Sequence, residues 1–406
     1  MSPLDRSPRE AVILGGARLA QGKLLGTLTP FTAVQLGQIA AKAAVARSGV
    51  NPQDFDEVII GQVVPAGSGQ AVPRQISLAV QIPEQVGGLA INKACGSSLK
   101  SVMLAAGMIR AGDGELFLAG GVESMTNAPF MDLKGRVGHR YGHYEMIDSI
   151  MWDGLWDHVE NWIMGEAAEF IAQQFEISRR EMDEFACRSH QLAHAATQEG
   201  RFKAEIVPVE IKGRKGEITL FETDESIRPD STLESLAKLR PAFLDDGRVT
   251  AGNAPGLNDG AAMVVVASRE YAEQHGHQPL ARIAGYGQAA VEPKWLFSAP
   301  IHALPKALAR AGWTMADVDL VELNEAFAAQ VLADLKGLAQ NGHALPLEKV
   351  NVNGGAIAIG HPVGASGARV LITLIHALKQ RGLKRGLAGL CLGGGEAVAL
   401  AVEIED

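Results

Sequence analysis

Ala46-Arg47-Ser48-Gly49-Val50-Asn51-Pro52-Gln53-Asp54-Phe55-Asp56-Glu57-Val58 has a counterpart in Ala309-Arg310-Ala311-Gly312-Trp313-Thr314-Met315-Ala316-Asp317-Val318-Asp319-Leu320-Val321. Ala, Arg, Gly, Asp, Asp and Val coincide at one constant offset without gaps. Each copy reads as an alanine-rich helix closed by Gly49 or Gly312, then a strand, Val58-Ile59-Ile60 or Leu320-Val321. A looser echo follows in the same order. Cys95 to Glu123 runs glycine turn, apolar helix, Gly112, strand, Gly120-Gly121-Val122-Glu123, and His361 to Glu396 runs glycine turn, apolar helix, Gly382, strand, Gly393-Gly394-Gly395-Glu396. Two echoes in one order imply a duplicated α/β half and not a solenoid, whose period would be far shorter. Helices alternate with short β-rich runs, so each half is expected to build a mixed, mostly parallel sheet covered by helices. Residues 126–251 differ in character. They hold Trp152, Trp156 and Trp162 and paired charges such as Arg179, Arg180, Glu181, Asp183 and Glu184, and read as an insertion over the site that carries substrate contacts.

A chain of 406 residues, 47% hydrophobic and 20% charged, can bury a large core in two or three units. A net charge of −9 excludes a general nucleic-acid binder, although a few local cations can still hold an anionic ligand. Cys95, Cys187 and Cys391 are an odd and sparse set, which argues against a disulfide scaffold and for a reducing compartment. No close ligand pair such as Cys-x2-Cys is present, so no metal site is expected. Residues 1–10 carry both charge signs, unlike a signal or transit peptide, and residues 403–406 form no retention or peroxisomal signal. No apolar run approaches the ~20 residues of a membrane span. A soluble, cytoplasmic protein that engages neither membrane nor nucleic acid is the expectation.

Two cysteines and a histidine in glycine-rich turns far apart in the chain suit covalent thiol chemistry. Cys95 precedes a largely apolar helix from Ser97 to Arg110, and a helix N-terminus favours a thiolate. The alternative for a free cysteine is plain burial, which is the reading adopted for Cys187 in its charged helical pattern. His361, between Gly360 and Pro362, can press an imidazole against a reactive centre as a base, or can be a surface turn histidine. Asn324 follows the second-repeat strand, where it can fix a water, orient a histidine or cap a helix. Gly393-Gly394-Gly395 after Cys391 can offer backbone N–H groups to an oxyanion, or can be a simple turn.

Asn92-x-x-Cys95-x-Ser97, Asn324-Glu325-Ala326-Phe327, Gly360-His361-Pro362 and Cys391-x-Gly393-Gly394-Gly395 together resemble the thiolases, in that family's order. Further agreement comes from Gly120-Gly121-Val122-Glu123-Ser124-Met125, Ala237-Lys238-Leu239-Arg240-Pro241-Ala242-Phe243 and the run from Gly252 to Ala261. The resemblance covers essentially the whole chain and is nearest to the bacterial acetyl-CoA acetyltransferases.

It implies an α/β fold of duplicated mixed-sheet halves in an α/β/α/β/α layering. The implied units are 1–125 with about 252–279 for the N-terminal half, 126–251 for an inserted loop domain binding coenzyme A, and 280–406 for the C-terminal half. It implies reversible thiolytic cleavage and Claisen condensation of short-chain 3-ketoacyl-CoA. Coenzyme A and acetyl-CoA are then substrates, with no cofactor. In that reading Cys95 carries the acyl group, His361 activates it and Cys391 moves the α-proton. Asn324 holds a water which forms one oxyanion hole with His361, and the N–H groups of Cys95 and Gly393 form the other. Arg228 and Ser235 match positions that hold coenzyme A. Leu155, Met164, Phe243, Ala251, Leu296 and Phe327 match positions along the pantetheine tunnel and acyl pocket. The 134–150 stretch matches an assembly loop, which implies a homo-oligomer, a tetramer built as a dimer of dimers.

The sequence departs from the pattern at Ser98 (usually glycine), Pro255 (often serine), Ile163 (often histidine) and Glu396-Ala397 (commonly a non-acidic residue and glycine). The alternatives are a broader-range 3-ketoacyl-CoA thiolase of β-oxidation, a decarboxylating ketoacyl synthase, and a thiolase-like acyl or sterol carrier without chemistry. A synthase would usually need two histidines and lack Cys391. A carrier would be expected to have lost one of Cys95, His361 or Cys391.

Overall fold

The computed structural model describes residue 7 and residues 9–213 and 215–405. The architecture rests on β1 (Ala11–Leu19), α1 (Ala33–Ser48), β2 (Glu57–Gly61), β3 (Gly87–Ile91), α2 (Ser97–Ala111), β4 (Leu116–Ser124), β5 (Asn258–Ser268), β6 (Ala281–Ala290), α3 (Pro300–Ala311), β7 (Leu320–Leu323), α4 (Ser366–Arg381), β8 (Arg385–Leu392) and β9 (Glu396–Ile404). These strands lie in the order β7-β8-β9-β6-β1-β5-β4-β2-β3. Reading outward from the β6–β1 junction, β1-β5-β4-β2 mirrors β6-β9-β8-β7: first strand, last, last but one, second.

The repeated residues do matching work in each copy. Gly49 and Gly312 close α1 and α3 at φ +70° and +72°, the left-handed conformation of a C-terminal glycine. Asp56 Oδ2 accepts from the Glu115 and Leu116 N–H groups at the start of β4 (2.6 and 3.0 Å). Asp319 Oδ2 accepts from the Lys384 and Arg385 N–H groups at the start of β8 (3.0 and 2.9 Å).

The expectation of a mostly parallel sheet is corrected. Among these nine strands parallel pairing occurs in β3-β2-β4 and in β7-β8, and the short strand Ile206–Val207 adds a parallel pair at the end of β1. The centre, β4-β5-β1-β6-β9-β8, is antiparallel throughout. The cause in the C-terminal half is the Gly393-Gly394-Gly395 turn, with Gly394 and Gly395 at φ +81° and +85°. A turn this short can join only antiparallel neighbours, whereas parallel strands need a crossover of a dozen or more residues.

Alternate residues along the strands divide among three cores. Val12, Leu14, Val58, Ile60, Met263 and Val265 face α1. Ile13, Ile59, Ala262, Val264, Leu390 and Leu400 face a shared core with α2 and α4. Leu323, Leu387, Cys391 and Ala399 face α3 and helices of the 126–251 segment. Among the described residues the halves meet in the sheet at Val12↔Arg282 and Ile13↔Ala281. The layering is therefore α1, N-terminal strands, α2 with α4, C-terminal strands, α3.

This brings the N-termini of α2 and α4 together. Ser98 Oγ accepts from the Ala368 N–H (2.9 Å), one of the first-turn donors that a helix cannot satisfy itself. Serine at this departure from the usual glycine thus cross-links the halves beside Cys95. Residues 126–251 leave the sheet after β4 and return at β5. Ile206–Val207 pairs with the end of β1, and buried Arg18 binds Glu205 (2.7 Å) and Asp224 (2.7 and 3.0 Å). Among the described residues no helix is long and apolar enough to cross a membrane.

Candidate active site

Cys95 sits on a tight turn between β3 and α2. Ala94 before it has φ +44°, a left-handed conformation that costs a residue with a Cβ of order 1 kcal/mol. Two side chains hold the turn. Asn92 Oδ1 accepts from the Ala94 N–H (3.0 Å), and Ser97 Oγ accepts from the Lys93 N–H (2.8 Å) while donating to the Ala94 carbonyl (2.7 Å). Asn92 Nδ2 donates onward to the Val63 carbonyl (3.1 Å). The spacing Asn92-x-x-Cys95-x-Ser97 is thus the spacing of a turn that projects one side chain.

His361 is fixed at three points. Its N–H donates to Asn258 Oδ1 (2.8 Å). Gly360 takes φ +118°, and a Cβ there would lie 2.7 Å from Asn258 Nδ2, so only glycine allows the approach. On the ring, Ser366 Oγ lies 2.6 Å from Nδ1 and 3.0 Å from the Pro362 carbonyl. That carbonyl can only accept, so it takes the hydroxyl proton, and Nδ1–H donates to Ser366. Nε2 is left as the bare nitrogen, 3.4 Å from Asn324 Nδ2.

Cys95, His361, Cys391 and Gly393 line one cavity of about 150 Å³ together with Leu155, Met164, Phe243, Leu296 and Phe327. Asn324 lies behind it, fully buried against His361. Asn324 caps no helix, since the next one is Ala328–Gln340 with Phe327 at its cap. Arg228, Ser235 and Ala251 are not brought to the cavity. All three are exposed, with Arg228 donating to the Ala251 carbonyl (3.2 Å) and Ser235 in the first turn of Leu233–Ala237.

The helix N-terminus, which favours a thiolate, does not prevail at Cys95. Burial pushes the Cys95 thiol up to about 12, although the N–H groups of Cys95 and Gly393 pull it down. The Cys95 N–H lies just before the helix N-terminus read from the sequence, the Gly393 N–H comes from the turn after β8, and desolvation outweighs both. Burial also raises Cys391 well above its ordinary value, with Cys95 and Asp334 adding to the rise. Burial lowers His361 to about 3, with the charge of Arg369 contributing. The resting site is a neutral thiol, a neutral imidazole and a second neutral thiol.

Several contributors were missed from sequence. Ser366 sets the histidine tautomer, and only its place five residues after His361 hinted at it. Asn258 lay unassigned within the quoted run from Gly252 to Ala261. Buried Glu123 ends the first echo. It accepts from the Val63, Val64 and Gly364 N–H groups (3.0, 3.2 and 3.0 Å), clasping two loops around Cys95, and burial raises it to about 7. Glu396, at the matching place in the second echo, pairs with Lys93 and ties the Cys95 turn to the Cys391 turn.

Residues 11–270 match the family model for the thiolase N-terminal domain, and residues 277–404 that for the thiolase C-terminal domain. The chain belongs to the thiolase family. Similar thiolases include the acetyl-CoA acetyltransferase of Cupriavidus necator, 50% identical over 97% of this chain and 99% of the relative. That of Syntrophomonas wolfei is 49% identical over 97% and 99%. Among solved structures, an acetyl-CoA acetyltransferase from Syntrophomonas wolfei superposes with a TM-score of 0.96 at 40% identity, covering 98% of this chain and 99% of that one. The Bacillus anthracis acetyl-CoA acetyltransferase superposes with a TM-score of 0.93 at 44% identity over 98% and 99%. A thiolase is an acyltransferase, and in this chain both cysteines and His361 line one cavity.

Proposed function

We propose that this thiolase is an acetyl-CoA C-acetyltransferase, which interconverts two acetyl-CoA with acetoacetyl-CoA and free coenzyme A through an acyl-Cys95 intermediate. The observation that carries the reading is the convergence of Cys95, His361 and Cys391 on one small apolar cavity. In synthesis, His361 Nε2 takes the Cys95 proton as sulfur attacks the thioester, and Cys391 protonates the departing coenzyme A sulfur. The Cys391 thiolate then removes the α-proton of a second acetyl-CoA. The carbanion attacks acyl-Cys95, and the released Cys95 recovers its proton from His361. Charge develops on two carbonyl oxygens, so two donor sets are needed. The Cys95 and Gly393 N–H groups serve one, and protonated His361 with an Asn324-held water serves the other. Side chains, backbone and the one held water supply every proton and donor in this scheme, so coenzyme A acts only as substrate and the scheme requires no cofactor.

The cavity also supports a short chain. A space of about 150 Å³ matches roughly a benzene-sized guest, the scale of an acetoacetyl group. Met164 and Ile163 line it, and Phe243 presses on Gly165 so closely that a Cβ there would lie 2.3 Å from the ring. Thiolysis assays across 3-ketoacyl-CoA chain lengths test this. Acetoacetyl-CoA should be a good substrate, with tolerance of one or two added methylenes or a 2-methyl branch. Each buried CH₂ is worth ~0.8 kcal/mol where it fits. Ile163→His should narrow the preference toward acetoacetyl-CoA. Preference for chains of eight or more carbons would reject the short-chain assignment and favour a broad-range thiolase.

The exposed rim fits coenzyme A carried by residues 126–251, with Arg228 and Ser235 at its adenosine end and pantetheine arm and Ala251 at the tunnel mouth. The same reading makes the protein a cytoplasmic homotetramer, a dimer of dimers. Free Cys95, Cys187 and Cys391 suit a reducing compartment. Val137, Tyr141 and Tyr144 are exposed apolar side chains on the candidate assembly loop, and β3 is a solvent-facing edge strand. Light scattering should give four chains. A dimer would reject the tetramer, and a monomer would reject assembly altogether.

A further inference from the structure

Arg369 is among the largest fully buried side chains, at 1% exposure, and no step above uses it. It lies on α4 three residues after Ser366, so the two side chains share one helix face. Ser366 holds His361 Nδ1, and Arg369 Nη2 lies 3.4 Å from Asn324 Oδ1. It also faces Glu322, on β7 two residues before Asn324, with Nη1 3.7 Å from the carboxylate, and the charges of Arg18, Glu205 and Glu325 act on it as well. Nε and Nη1 of Arg369 and Oε1 of Glu322 have no hydrogen-bond partner among the described residues. A buried guanidinium left two-thirds unbonded is costly, so its retention asks for a reason beyond packing.

The donor inventory supplies one. A guanidinium only donates, so the atom of Asn324 that faces it must be the carbonyl oxygen. The NH₂ group must then face His361 Nε2, on the cavity side. In the resting site bare Nε2 also favours this orientation, but once Nε2 has taken the Cys95 proton it no longer forbids the flipped amide, and Arg369 is then the neighbour that does.

We propose that Arg369 is a positioning residue: it sets the orientation of the Asn324 amide, so that its N–H groups hold the water that serves the oxyanion together with His361. One face of α4 thereby aims both members of the pair, through Ser366 and Arg369. The proposal rests on the role given to Asn324 and His361 above. The lowering of His361 by the Arg369 charge fits the same placement.

The test is a double-mutant cycle with steady-state thiolysis of acetoacetyl-CoA. Arg369→Met should lower kcat by about 10- to 100-fold with KM changed less than about threefold, short of the ~10²–10³-fold typical of losing an oxyanion donor outright. Asn324→Ala is the control for the underlying reading. In that background Arg369→Met should cost less than about threefold, because there is no amide left to orient. Glu322→Gln/Arg369→Met removes both charges and should behave as Arg369→Met, which keeps the cycle usable if the single variant is unstable. A full, multiplicative loss on top of Asn324→Ala would overturn the proposal, as would a rise in KM at unchanged kcat. An Asn324→Ala enzyme with wild-type turnover would overturn the role of Asn324 itself.

Discussion

Cys95→Ala should remove turnover by on the order of 10⁶-fold, as loss of a covalent nucleophile does in other enzymes, while the fold persists. The effect is large because no other group can replace the sulfur. Cys391 is fully buried on the strand side of the cavity, and Cys187 lies in the Arg179–Gln198 helix, with its Sγ–H directed to the Ser231 carbonyl (3.3 Å). The fold should survive because the turn is held by Asn92 and Ser97, not by the thiol. Acetyl-CoA incubated with wild type, quenched in acid and mapped by mass spectrometry should place one acetyl group on Cys95. An acetyl group on a different cysteine, or none, would sink the assignment. Because the resting thiol is neutral, alkylation of Cys95 by iodoacetamide in the free enzyme should be slow at neutral pH.

The duplication was legible because its markers are local. Gly49 and Gly312 end helices by conformation, and Asp56 and Asp319 cap the start of the strand paired with the one they precede, so both leave one-residue signatures in the chain. Cys95, His361, Cys391 and Gly393 were legible because glycine, proline and asparagine punctuate the turns that present them. Strand direction was not. Whether a neighbour runs parallel depends on where the chain re-enters the sheet, and β5 re-enters only after residues 126–251. The protonation state of Cys95 was not legible either. A helix N-terminus can be read from sequence, but the burial that overrides it arises from segments on both halves of the chain. Ser366, Asn258, Glu123 and Arg369 act at a distance from what they orient. Each is an ordinary residue in its own segment, and its role exists only once α4, β4, β5 and β7 converge.

His361 and Cys391 should separate by half-reaction. Cys391→Ala should still accept an acetyl group on Cys95 but lose exchange of the acetyl-CoA α-protons in deuterated water. His361→Ala should slow the acylation itself, by ~10²–10⁴-fold for a lost general base. The division follows from geometry. His361 Nε2 is the bare nitrogen at the cavity, held in that tautomer by Ser366. Cys391 enters from the end of β8, two residues before Gly393, whose N–H faces Cys95. Burial sets the sign of the pH response. With His361 lowered to about 3, its imidazole is neutral, and able to accept a proton, at every pH above that value. The rate of Cys95 acylation should therefore show no histidine-like fall between about pH 7 and 5, where an ordinary imidazole becomes charged. An acylation profile that falls with an apparent pKa near 6.5 would contradict the buried neutral imidazole. Equal loss of both half-reactions in Cys391→Ala would contradict the division of labour between the two groups.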